Sequence, residues 1–230
     1  MAEKEFFKNI PAEGPEPSPM ASEIKSKLSG WAKWLFIFVK FILGILLLPF
    51  VYSISSAFYS QFMQVDPAIQ DIFWWGIAAF LLIYLFVWEP AKIYTRGQKI
   101  LEWIFTFVRP LVRIAPYLLP VYTILLLVLY ACLSWAFEGL LGYFIFWAAF
   151  SLSLHLVYSA KTLRTKKEDA LKANYLFGFS LIYIINIFLL SLCLSVILKG
   201  FDFVIFCRNF LDRAGFIFQR AYEQLFLFRK

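Results

Sequence analysis

Chemistry in this chain would have to come from very few residues. Between Trp88 and Pro120, two apolar stretches are interrupted by Glu89, Lys92, Arg96, Lys99, Glu102, Arg109 and Arg113. His155 is the single histidine, set among Ser153, Leu154 and Leu156. Metal-dependent hydrolysis needs several His, carboxylate or thiolate ligands around an open position, and one isolated histidine does not supply them. A serine triad would need His155 beside an activated serine and a carboxylate. Ser151, Ser153 and Ser159 are close in sequence, but no acid lies near them. No glycine-rich phosphate loop is present. The expected role of His155, Asn186 and Thr123 is therefore hydrogen bonding between helices, with no cofactor and no metal.

The elements that must position these groups are membrane spans. The chain is 62% hydrophobic and 21% aromatic, with a mean hydropathy of +0.73. Runs of about 18 or more apolar residues cross a bilayer as helices, because about 20 residues at 1.5 Å each match the hydrocarbon thickness. Only helices or closed barrels satisfy the backbone there. The expected fold is an all-α membrane protein of about five transmembrane helices. It carries an N-terminal arm, a surface helix between the second and third spans, and a C-terminal amphipathic helix.

In domain terms, residues 1–30 form a flexible Pro-rich and basic arm, 31–200 the transmembrane domain and 201–230 the Phe-rich amphipathic helix. The arm's KNIPAEGPEPSP stretch has too little apolar surface to fold alone, and a short amphipathic helix is expected over Ala21–Trp34. It lacks the apolar core of a cleaved signal peptide. The spans lie near Trp34–Tyr59, Ile72–Trp88, Leu111–Phe137, Tyr143–Ala160 and Asn174–Leu198. Pro49 predicts a kink in the first, with Ser53 placed to satisfy the freed carbonyl. Lys40 snorkels near the cytoplasmic end of that span. No charge is expected at mid-membrane, which argues against ion-coupled transport.

The formal charge of +7 sits beside the spans, where the positive-inside bias and anionic lipid explain it. Lys25, Lys27 and Lys33 before the first span, and Lys161, Arg164, Lys166 and Lys167 after the fourth, are expected at lipid head groups. This places the N-terminus in the cytoplasm and the protein, multi-pass, in the cytoplasmic (inner) membrane. Five spans put the C-terminus outside, although Arg208, Arg213, Arg220, Arg229 and Lys230 follow the last one. No basic stripe on a soluble module suggests nucleic acid. Cys132, Cys193 and Cys207 are isolated and read as reduced thiols. In the last segment, Arg208 and Asp212 form an i,i+4 pair. Phe203, Phe206, Phe210, Phe218, Leu225 and Phe228 line the apolar face, to meet lipid, a partner or the chain's own bundle.

Further motifs at the elbow carry a resemblance. An aromatic-Glu-Pro step (Trp88-Glu89-Pro90) is followed by Tyr94-Thr95-Arg96-Gly97 and a helix. Then come Ala115-Pro116-Tyr117 and, later, Asn174-Tyr175 with Tyr183 and Asn186. The pattern resembles the site-2-protease type of intramembrane zinc metalloprotease, whose HExxH helix supplies two His ligands and a Glu base. Here Gln98 and Glu102 stand at the His positions and Lys99 at the Glu position. The resemblance therefore implies an inactive relative, with its scaffold kept and its metal chemistry lost. The leading functional expectation is a non-catalytic structural or assembly subunit, partnered by the lipid bilayer and other membrane-protein subunits. The alternatives are a degenerate metalloprotease-like protein and a small-molecule or lipid carrier.

Overall fold

The computed structural model describes residues 19–86, 91–104, 118–134, 138–165 and 175–227. Among these residues there is no strand; the protein is an all-α membrane protein. Its helices are α1 (Pro19–Phe62), α2 (Pro67–Phe86), α3 (Ala91–Ile104), α4 (Val121–Leu133), α5 (Leu141–Thr165), α6 (Tyr175–Ile197) and α7 (Phe203–Tyr222). A single 3-10 turn, Glu138–Leu140, precedes α5, and a π-helical turn, Glu223–Leu227, ends α7.

Four helical stretches are long and apolar enough to cross a membrane: Trp34–Phe62, Pro67–Phe86, Leu141–Arg164 and Tyr175–Ile197. These match the first, second, fourth and fifth expected spans. Over the third, the described helix α4 has 13 residues, about 20 Å of rise at 1.5 Å per residue. That is shorter than a hydrocarbon core of about 30 Å; residues 105–117 and 135–137 on either side lie outside the described residues. The surface helix between the second and third spans is α3.

The chain divides into two compact units, residues 1–39 and 40–230. In the first, α1 already begins at Pro19, inside the segment expected as an arm; residues 1–18 lie outside the described residues. Trp34 stacks on Phe38 there, with ring centroids 5.5 Å apart.

The second unit is built on close helix contacts. Lipid tails are as apolar as leucine, so helices in a membrane associate where small residues let backbones approach. Gly76 of α2 is such a point: a Cβ added there would overlap the Phe146 carbonyl oxygen and lie 3.0 Å from Ala149 Cβ. Around it, Phe58, Phe62, Phe73, Ile145, Leu190 and Leu194 form the main core. Phe62 and Phe73 lie 4.8 Å apart at the C-terminal end of α1. Asp66 precedes Pro67, and its Oδ1 accepts the Ala68 N–H at 2.8 Å, satisfying a donor that the helix start leaves orphaned.

One expectation in α1 is revised. Ser53 Oγ is buried without a hydrogen-bond partner among the described residues, so it is not the group that rescues the carbonyl freed by Pro49. Lys40 is 7% exposed.

The end of the chain turns back on the bundle. After α6, Gly200 adopts φ +98°, and its Cα side faces the Gln64 carbonyl so closely that a Cβ would lie 2.9 Å from that oxygen. A residue with a side chain would be strained twice there. Asp202 then caps α7, its Oδ1 accepting from Val204 N–H at 2.7 Å and Ile205 N–H at 2.9 Å. Contacts along α7 move backwards along α1. Asp202 N–H donates to Gln61 Oε1 at 3.3 Å, Arg213 reaches Ser56 and Ser60, and Phe218 meets Phe50 at 5.2 Å. So α7 runs antiparallel to α1 and packs on its own bundle through Phe206, Phe210 and Phe218. No ion pair joins Arg208 and Asp212 among the described residues; Arg220 of α7 instead lies 3.8 Å from Glu223 in the π-helical turn.

Candidate functional site at the elbow

The elbow helix α3 is held to the bundle by residues that lie among its charges. Tyr94 is 4% exposed and Gly97 is buried, while Lys92, Arg96, Lys99 and Glu102 are exposed. A Cβ on Gly97 would lie 2.7 Å from the Tyr122 ring, so glycine lets α4 approach. Tyr122 OH then donates to the Ile93 carbonyl at 2.8 Å.

From α3, a polar chain runs into α5. Gln98 Nε2 donates to Tyr94 OH at 2.9 Å, and Tyr94 OH and Ser159 Oγ share a hydrogen bond of 3.1 Å. Ser159 Oγ lies 3.4 Å from His155 Nε2, and the Tyr94 and His155 rings are 6.0 Å apart. His155, Ser159 and Tyr94 are all buried. The void beside them, lined by Tyr94, Gln98, Tyr122 and His155, has a volume of about 10 Å³. A single water needs about 10–15 Å³, so no substrate fits.

The other expected interhelical groups bridge neighbouring segments. Thr123 Oγ1 of α4 shares a 2.9 Å hydrogen bond with Ser151 Oγ of α5. Asn186 Nδ2 of α6 donates to the Leu118 carbonyl at 2.9 Å and to the Ile182 carbonyl one turn back at 2.7 Å. Ser55 Oγ and Tyr183 OH, 2.9 Å apart, join α1 to α6. Each bond satisfies a polar group that hydrocarbon cannot.

The three positions of the HExxH-like stretch do not come together. Gln98 turns into the polar chain, whereas Lys99 and Glu102 are exposed. Among the described residues, no three His, Cys, Asp or Glu side chains converge on a possible metal position. Of the expected head-group cations, Lys161 is exposed with its Nζ 5.9 Å from the Tyr158 ring, and Arg164 is exposed. The side chains of Lys25, Lys27 and Lys33 lie outside the described set, as do Lys166 and Lys167 entirely.

The residues missed by reading the sequence are Tyr94 and Arg213. Tyr94 sits one turn before Gln98 and three before Gly97, a spacing that puts all three on one side of a helix. Arg213 is one of the cations that follow the last expected span, yet it is half-buried against α1. No protein-family model matches the chain, and no curated protein and no solved structure matches it.

Proposed function

We propose that this chain is a non-catalytic subunit of a membrane complex, residing in a cytoplasmic (inner) membrane with its N-terminus in the cytoplasm. The observation that carries the reading is the outward side of α7. It runs beside a span of α1, yet Arg208, Gln219 and Arg220 are exposed on it. Charged groups at bilayer depth are costly unless paired or facing a protein or aqueous interior. A helix of another subunit, carrying complementary polar groups, meets that need. The polar chain at the elbow supports the same reading, because Gln98, Tyr94, Ser159 and His155 bond to one another around a void too small for a substrate.

The test is extraction under mild detergent, followed by intact-mass measurement. The expected result is a heteromeric species, which Arg208→Ala with Gln219→Ala dissociates without changing the thermal stability of the isolated chain. A lone monomer with no co-purifying protein overturns the proposal.

A second reading keeps the kinship with site-2-type proteases, and Gln98 in contact with the His155 cluster favours it. A metal-binding remnant would bind about one equivalent of zinc, lost on Gln98→Ala and Glu102→Ala. Elemental analysis showing no zinc, with both variants behaving like the parent, removes this reading.

A further inference from the structure

Two cavities share a wall on α1. The first, about 510 Å³, lies between α1, α2, α5 and α6, with walls formed by Phe58, Phe73, Ile77, Leu152, Ile187 and Leu190. The second, about 480 Å³, lies between α1 and α7 and is lined by Tyr52, Ser56, Asp212, Arg213, Phe216 and Ile217. Tyr52 and Ser56 line both. An apolar chamber of ligand-pocket size therefore adjoins a chamber holding one cation and one anion.

The charges in the second chamber are specific. Arg213 Nη2 donates to Ser60 Oγ at 2.6 Å and Nη1 to Ser56 Oγ. A guanidinium has five N–H donors, so three are left after these two bonds. Among the described residues no carboxylate pairs with Arg213. Asp212 is exposed into the same chamber, and the Tyr52 and Phe216 rings also line it. Arg220 lies over the Phe216 ring at 5.2 Å, and the Tyr52 ring offers a second aromatic face in the chamber. Guanidinium groups bind phosphate through directed N–H bonds, and a carboxylate with an aromatic face suits an ammonium.

We propose that these chambers form one binding site for a zwitterionic phospholipid. The phosphate sits on Arg213, the head-group ammonium lies between Asp212 and Tyr52, and an acyl chain fills the apolar chamber. A purely anionic lipid would leave Asp212 facing a like charge, and a sterol or other neutral lipid would leave both charges unanswered. The site is built from α1, α2, α5, α6 and α7 of this chain and does not depend on the subunit reading.

The test reconstitutes the full chain in nanodiscs containing equal phosphatidylethanolamine and phosphatidylglycerol with matched chains. Lipids retained after mild extraction are then counted by native mass spectrometry. Phosphatidylethanolamine is expected to be retained about tenfold over phosphatidylglycerol. Arg213→Gln lowers retention of both lipids, and Asp212→Asn removes or reverses the preference. Ile77→Trp, which fills the apolar chamber, lowers retention of both without altering the preference. Asp212 is exposed, so its variant keeps the test informative if Arg213→Gln does not fold. Equal retention of the two lipids by the parent chain overturns the proposal, as does a preference unchanged in Asp212→Asn.

Discussion

Tyr94 carries more of the elbow than any charged neighbour. Its hydroxyl joins Gln98 to Ser159, and its ring stacks on Tyr158 at 5.2 Å. Tyr94→Phe keeps the ring and removes both bonds. The expected cost is about 1 kcal/mol, within the range of about 0.6–1.7 kcal/mol measured for polar contacts between membrane helices. Thermal unfolding in a fixed detergent measures it, and an unchanged midpoint would contradict the assigned role. Thr123→Val should show a similar loss through Ser151. The polar roles of Thr123 and Asn186 were legible because an uncharged polar residue in an apolar run has few uses but a neighbouring helix. Tyr94 was not legible. It lies in a charged stretch where any single residue has the same prospect of facing water, and only the partners on α5 distinguish it.

At the scale of elements, long apolar runs announce themselves, and four of the expected spans are present as helices of adequate length. How they touch is less visible. Gly76 is one glycine among ten in the sequence, and its role depends on the Phe146 backbone opposite. Gly76→Leu would force α2 and α5 apart, and a lowered unfolding midpoint and increased proteolysis of the 62–67 turn are expected. The start of α7 offers a milder test. Asp202→Ala removes the cap from Val204 and Ile205, with an expected cost of about 0.5–2 kcal/mol, read as faster hydrogen exchange in the first turn of α7. Equal exchange in the two proteins would show that the cap contributes nothing. The direction of α7 was hidden for a physical reason: a row of phenylalanines is equally suited to lipid, a partner or the chain's own helices. Contacts of Phe210 and Phe218 with Phe50 decide among them.

At the scale of the molecule, the account rests on α7 returning alongside α1. Together with the π-helical turn, Phe203–Leu227 has 25 residues, from the 20 of α7 and the 5 of the turn, or about 37 Å of rise at 1.5 Å per residue. That length is comparable with a hydrocarbon core of about 30 Å, although α7 is too charged to count among the four apolar spans. Counting the five expected spans alone puts the C-terminus opposite the N-terminus, because α7 is too charged to be read as a membrane element. Both proposals use this arrangement, since it sets Arg208 and Arg220 facing outward and Arg213 beside the apolar chamber. The direct measurement is protease protection of a tag at each end of the chain in sealed, oriented vesicles. Tags that are both cleaved from one side and both protected from the other are the predicted result. One tag cleaved from each side would mean that α7 does not return across the bilayer.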